Sequence, residues 1–335
     1  MFILYSVGMR RGLRSTPFSA TSTADDVLSG HDLTGVRAVV TGASSGLGAE
    51  SARALAAAGA EVTLAVRNTV AGAAVAADIA RSTGRPAPAV APLDLADRSS
   101  VEGFVAAWRG PLHLLLANAG VVTGGLERTP EGWELQFATN HLGHVALATG
   151  LRRGLVAGAA DQGGARIVVV SSTAHMRADV DFDDLHFDDL HFDRRAYDPQ
   201  IAYAQSKTAN SLFAVGATRR WARDGVVANT VNPGGVATGL QRNFTRRQKD
   251  SLAAAEAAGV FTYKTVEQGA ATSMVAAVDP QFATSGGHYL DDCQEAYEVP
   301  NDADLADHPH GVKAWALDPD RADRLWTVSE QLLRP

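Results

Sequence analysis

Val36 to Val40 is a short apolar run that passes directly into Thr41-Gly42-Ala43-Ser44-Ser45-Gly46-Leu47-Gly48, and an alanine-rich stretch follows to about Ala58. The apolar run has the pattern of a buried strand and the alanines that of a helix. Glycines at the junction permit positive φ and a close backbone approach. The first N–H groups of such a helix, with the positive end of its dipole, receive an anion such as a phosphate. Gly42, Ser44, Ser45, Gly46, Leu47 and Gly48 are therefore candidate phosphate-cradling residues. The spacing, Gly-x-x-x-Gly-x-Gly, is a variant of the commoner Gly-x-Gly-x-x-Gly, and an ordinary strand-to-helix turn is the plain alternative.

The same alternation continues downstream. Glu61 to Val66 predicts a second strand that ends in Arg67-Asn68 with no acid. In dinucleotide sites an acid there takes the ribose hydroxyl, whereas an arginine fork suits a 2′-phosphate. Helix patterns follow at 70–82 and 99–108, and strand patterns at 88–93, which leads into Asp94-Leu95, and at 113–117, which is closed by Asn118-Ala119-Gly120. Asp94 is placed to reach an adenine amino group, and the small residues at 118–120 let a ribose lie against the chain. Gly132 to about Leu155 predicts one long helix, with Asn140 inside it as a source of bending. His141 and His144 fit packing or a surface better than a metal. Strands at 165–170, 226–231 and 288–290 and helices at 266–277 and 319–333 complete a doubly wound parallel α/β sheet of about seven strands, with helices on both faces, as a single domain. Ligands of such sheets sit at the strand C-termini.

Two segments interrupt the alternation. In the stretch between Ser172 and Tyr203, Phe182-Asp183-Asp184-Leu185-His186 repeats at once as Phe187-Asp188-Asp189-Leu190-His191. The insert, at about 176–200, is expected to be a duplicated surface loop rather than a metal site. Residues 239–261, polar and alanine-rich, are expected to flap over a pocket.

Composition narrows the class. The chain has 335 residues, 46% hydrophobic and 20% charged, with a formal net charge of −7 and one cysteine, Cys293. The charge gives no support to nucleic-acid binding. A single cysteine excludes an internal disulfide and fits a reducing, cytoplasmic setting. Phe2 to Val7 is too short an apolar run for a signal peptide and precedes its arginines, and no stretch is long enough to span a membrane. Residues 1–31 are expected to be an extension, disordered in part, with Met9 an alternative start, and residues 32–335 the domain proper.

Ile201-Ala-Tyr-Ala-Gln-Ser-Lys-Thr-Ala-Asn210 carries the chemistry. On a helix Tyr203 and Lys207, four residues apart, share a face. A free phenol titrates near ~10; a nearby ammonium lowers that value and fits the tyrosine for acid–base work at neutral pH. A surface pair sharing a helix face is the alternative for this motif alone.

Together these pieces resemble the short-chain dehydrogenase/reductase family from Leu33 to about Asp291. The motifs are Thr-Gly-x-x-x-Gly-x-Gly at 41–48, Asn-Ala-Gly at 118–120, Ser172, Tyr203-x-x-x-Lys207 and Pro233-Gly234. The stretch from Arg166 to Ser172, the long insert, Tyr-x-x-Ser-Lys-x-Ala-Asn and Tyr289-Leu290-Asp291-Asp292-Cys293 are similar to the branch of retinol dehydrogenases and WW-domain oxidoreductases. Ala117 departs from the family's usual Asn-Asn-Ala-Gly. The resemblance implies a Rossmann fold and hydride exchange with NADP(H), with NAD(H) second. Tyr203 would be the acid/base, and Lys207 would lower its pKa and bond the nicotinamide ribose. Ser172 would hold the substrate oxygen, and Asn140 would anchor a water in a relay to Lys207. Pro233, Gly234, Val236 and Thr238 would contact the nicotinamide end or the diphosphate. The implied substrate is an apolar alcohol, aldehyde or ketone, with homo-oligomerisation left open. A carbon–carbon double-bond reductase and a non-catalytic dinucleotide sensor are the rival readings.

Overall fold

The computed structural model describes residues 12–182, 196–237 and 262–334, with residues 246, 253, 254 and 256 between the last two stretches. Thr238, nearly all of the expected flap and all but Phe182 of the repeated segment lie outside the described residues. Strands β1 (Arg37–Thr41), β2 (Glu61–Val66), β3 (Ala89–Pro92), β4 (Leu114–Ala117), β5 (Ala165–Val170), β6 (Val226–Asn232), β7 (Tyr289–Asp291) and β8 (Gln294–Glu295) form one sheet in the order β3-β2-β1-β4-β5-β6-β7-β8. The first seven pair in parallel and β8 pairs antiparallel to β7. The strand order reverses at β1, which has β2 on one side and β4 on the other, so a crevice opens at their C-terminal ends.

Alternation along the strands separates two cores, because successive side chains face opposite sides of a sheet. Val40, Leu64, Leu116, Val168 and Leu290 pack with α2 (Gly46–Ala57), α3 (Thr69–Thr83) and α9 (Val266–Val278). Val39, Ala65, Leu115, Ile167 and Val169 pack on the other face with α4 (Arg98–Ala107), α6 (Gly143–Gly150), α7 (Arg152–Gln162) and α8 (Pro199–Trp221). The terminal helix α10 (Pro319–Leu332) lies against α8.

The structure departs from the sequence pattern in three places. The single helix expected over 132–155 is instead α5 (Leu135–Phe137), a π-helical turn (Ala138–Leu142), α6 and α7, which runs on to Gln162. Gly132 sits in a turn with φ 91°, and Leu151 at ψ 1° separates α6 from α7. Residues 12–31 are packed rather than loose: α1 (Ala24–Leu28) buries Ala24, Val27 and Leu28 against α2 and α9. Upstream, the Arg14 guanidinium reaches Glu295 and Ser285. A second, two-stranded parallel ribbon, β9 (Tyr297–Val299) with β10 (Gly311–Lys313), had no signal in the periodicity.

Candidate active site

The glycines of the cradle are required for different reasons. Gly42 has φ 67°, and a Cβ there would lie 2.9 Å from Ala119 Cα. Gly48 sits in the first turn of α2, where a Cβ would come within 2.5 Å of Asn118 Nδ2 and 2.6 Å of the Gly42 carbonyl oxygen. Gly46, with φ 56°, opens α2, and its N-cap Ser45 makes no side-chain capping bond. The N–H groups that a cap would satisfy thus remain available to an anion. Ser44 and Leu47 are half-buried beside them and Ser45 is exposed. These features fit a diphosphate: space is kept by absent Cβ atoms, and donors are kept by an absent cap.

Asn118 supports this loop from behind. Its Nδ2 donates to Thr41 O at 2.9 Å, while Asn118 N and Ala119 N donate to Thr41 Oγ1 at 2.9 and 3.0 Å. Thr41 Oγ1 in turn lies 2.9 Å from His144 Nε2, and His144 Nδ1 lies 3.0 Å from the Asn140 carbonyl oxygen. Burial holds His144 down at about 4, so the ring is neutral. Nδ1–H then donates to the carbonyl and Nε2 accepts from the threonine. Neither buried histidine on this helix faces solvent; His141 Nε2 pairs with Ser329 Oγ at 3.0 Å.

Asn140 occupies the π turn for a visible reason. Its Oδ1 accepts from Val121 N at 2.7 Å, and its Nδ2 donates to Val121 O at 3.1 Å and to Ser206 Oγ at 3.0 Å. Both amide hydrogens are used. A water could bond this residue only as a donor, at the remaining lone pair of Oδ1 or of the backbone carbonyl, which accepts from His144. Ser206 Oγ donates to Tyr203 O at 2.7 Å, so the asparagine is tied to the helix that carries the tyrosine.

On α8, the Tyr203 phenol comes close enough to the Ser172 side chain for the two to interact, and Lys207 Nζ lies 5.5 Å from the tyrosine ring centroid. Lys207 is buried and donates to the Val170 carbonyl at 3.0 Å. A Cβ on Gly120 would sit 3.3 Å from Asn140 Oδ1 and 3.5 Å from Lys207 Nζ, so the end of β4, the π turn and α8 converge on one point. Burial pushes the Tyr203 phenol up to about 12, and the nearby Ser172 side chain offsets only part of that rise. Burial alone brings Lys207 down to about 8. Desolvation thus outweighs the lowering of the phenol expected from the lysine in this arrangement. A phenol that keeps its proton at neutral pH is set to donate it.

Other expected residues are placed less directly. Arg67 is exposed at the end of β2, with no ion pair among the described residues. Asn68 caps α3 through Oδ1, which accepts from Ala71 N at 3.0 Å. Asp94 Oδ1 accepts from Ala96 N at 3.0 Å, and Leu95 is buried with its carbonyl against Gly143. Gly234 has φ 79° in the loop after β6. Gly269 of α9 leaves room for Val236 and Leu47, so this loop abuts the cradle.

Near the site His175 carried no motif signal, and Tyr289 stood in a motif of the resemblance without a role of its own. Ser172 caps a 3₁₀ turn, and His175 in that turn directs Nδ1 at the Ser172 carbonyl at 2.8 Å. Lys313 N donates to His175 Nε2 at 3.4 Å, so Nδ1 bears the proton. Tyr289 Oη lies 3.1 Å from the same Nδ1. The serine is thus backed by the C-terminal ribbon, a long-range contact that only the fold creates.

The family model for short chain dehydrogenases matches residues 37–180. A probable oxidoreductase of Streptomyces antibioticus is 49% identical over 308 residues, covering 90% of this chain and 99% of that protein. The human WW domain-containing oxidoreductase is 33% identical over 95% of this chain and 72% of its own length. A solved structure from Mycobacterium paratuberculosis aligns with a TM-score of 0.68 at 30% identity, covering 95% of this chain and 98% of that one.

Proposed function

The chain belongs to the short-chain dehydrogenase/reductase family, and from that premise we propose that it is an NADP(H)-dependent oxidoreductase interconverting an alcohol and a carbonyl on an apolar small molecule. The oxidoreductase class and a nicotinamide dinucleotide follow from the family, and a small-molecule substrate with them. The observation that carries the finer reading is the convergence of Ser172, Tyr203 and Lys207 beside Gly120.

Gly42, Ser44, Ser45, Gly46, Leu47 and Gly48 would hold the diphosphate. Arg67 and Asn68 would face the adenosine ribose, and Asp94 and Leu95 the adenine. Asn118, Ala119 and Gly120 would line the nicotinamide ribose, and Pro233, Gly234 and Val236 would close over the nicotinamide end. When bound, the dinucleotide would supply the hydride in reduction and accept it in oxidation. Tyr203 gives its proton to the carbonyl oxygen in reduction and takes it back from the alcohol in oxidation. Ser172 donates to that oxygen, a contact that strengthens as negative charge develops there. Lys207, freed from Val170, would bond the ribose and favour the phenolate when the reaction runs as an oxidation. Asn140 fixes the helix segment carrying Tyr203 through Ser206, and its carbonyl oxygen keeps a lone pair that would anchor a water. Arg67, exposed and with no acid beside it, supports NADP(H) over NAD(H). The buried Cys293 fits a cytoplasmic setting, and no helix among the described residues is long and apolar enough to cross a membrane.

A panel of apolar alcohols, aldehydes and ketones, followed by NADPH formation or loss, tests the proposal. Turnover confined to enones would move the assignment to double-bond reduction, and NADPH binding without any turnover would leave a dinucleotide sensor.

A further inference from the structure

Behind the loop that follows β6, four charged side chains from three separate segments meet. Asn232 Nδ2 donates to Asp291 Oδ1 at 2.9 Å, and the other oxygen of Asp291 lies 2.8 Å from His310 Nδ1. The same His310 nitrogen is 3.4 Å from Asp292 Oδ2, and the second Asp292 oxygen pairs with the Lys264 ammonium. The lysine closes the circuit: its stem lies where a Gly234 Cβ would be, 3.0 Å from Cε, and its backbone N donates to Gly235 O at 2.8 Å. Gly234 N finally donates to Asn232 Oδ1 at 3.2 Å.

The turn that presents the two carboxylates is itself unusual. Asp292 and Cys293 have φ of 49° and 66°, left-handed conformations that aspartate tolerates and that are strained for cysteine. Asp291, Asp292 and His310 also bring ligand atoms within 4.8 Å of one another, as a metal site would. Lys264 already supplies a positive charge at Asp292, so a cation there would be repelled. The arrangement is a closed ring of ion pairs and hydrogen bonds around one loop.

We propose that Asp291, Asp292, Lys264 and His310 form a clasp that positions the 232–237 loop against the bound dinucleotide, and that the clasp slackens when His310 loses its proton. The inference rests on the reading that this loop contacts NADP(H), which the contact of Val236 and Leu47 at Gly269 supports. Among the described residues, the charged groups facing His310 are Asp291 and Asp292 of the turn and Lys264 ahead of α9. The bond to Asp291 and the two carboxylate charges raise the His310 pKa above its ordinary value; Lys264 and partial burial oppose them. A raised value means that the clasp is complete below the ordinary histidine pKa of ~6.5 and is lost as pH rises through the folded value.

The test compares NADPH dissociation constants, read by the quenching of protein fluorescence, for the wild type and two variants between pH 6 and 9. His310→Gln removes the charge at a side chain that is 58% exposed, so an exposed-pair effect of about fivefold weaker binding is expected at pH 6. That ratio should fall toward one as pH rises and the wild type also loses the proton. Asp292→Asn keeps a residue that tolerates the left-handed turn. It should bind about fivefold more weakly at pH 6 and stay weaker at pH 9, because the variant lacks the carboxylate partner of Lys264 at every pH. Melting of the cofactor-free proteins identifies any variant that has merely unfolded. A His310→Gln ratio that is one throughout, or constant with pH, overturns the clasp while leaving the proposed function standing. A wild type that binds neither NADPH nor NADH overturns both.

Discussion

Gly48 to alanine tests the cradle at the position where the structure leaves least room. The added Cβ would lie 2.5 Å from Asn118 Nδ2 and 2.6 Å from the Gly42 carbonyl oxygen. Neither neighbour yields easily: the amide is bonded to Thr41 O at 2.9 Å, and the carbonyl is backbone. Overpacking of this kind costs ~1–3 kcal/mol. Alanine recovers ~0.5–1 kcal/mol of helix preference over glycine, so the net change in stability is a loss of up to about 2.5 kcal/mol. Affinity should suffer more, because the clash moves the N–H groups that face the diphosphate. Losing one charge-assisted bond worth ~1.5–3 kcal/mol weakens NADPH by about tenfold or more. Gly103, exposed within α4 with nothing within 4 Å of an added Cβ, is the control. Gly103→Ala should stabilise by ~0.5–1 kcal/mol and leave NADPH affinity unchanged. Urea denaturation and NADPH titration of both variants decide the matter. If Gly48→Ala is stabilised like the control and binds NADPH within about twofold of wild type, the cradle reading is wrong.

Arg67→Ala should weaken NADPH by about 10- to 150-fold and leave NADH nearly unchanged in titrations of both cofactors; equal weakening of the two would remove the 2′-phosphate contact. Lys207→Met probes buried charge through pH. The wild-type lysine is held at about 8, below its unfolded value, so between those values the unfolded chain binds the extra proton and wild-type stability rises with pH. The variant lacks that term, so its urea midpoint relative to wild type should be higher at pH 6.5 than at pH 9.5. A difference independent of pH would mean that the lysine is not desolvated.

The parallel strands and most helices were legible because each is a self-contained pattern: Glu61–Val66 and Ala165–Val170 match their expected bounds, and α9 matches to one residue. The glycine-rich turn into α2 and the helix that carries Tyr203 and Lys207 were legible as motifs with fixed spacing. The broken helix at 135–162 was not. The π turn has the same apolar periodicity as a straight helix, and Asn140 is fixed by Val121 and Ser206, which no local window contains. His175 and Tyr289 meet across 114 residues for the same reason. β8 to β10, with two or three residues each, are too short to show a period. The 12–31 segment gave no signal because its order comes from packing against α2, α9 and the Glu295 region. The expectation for the tyrosine pKa counted the neighbouring ammonium and not burial, which pushes the phenol the other way.

Tyr203→Phe tests the central claim most directly, since it removes one transferable proton from a ring that stays in place. With any substrate found in the panel, turnover should fall by ~10²–10⁴-fold, the usual contribution of general acid–base catalysis. NADPH affinity of the same protein, measured separately, should remain that of the wild type. Turnover above about a tenth of wild type, with NADPH bound normally, would show that the proton comes from elsewhere and that Tyr203 is not the acid.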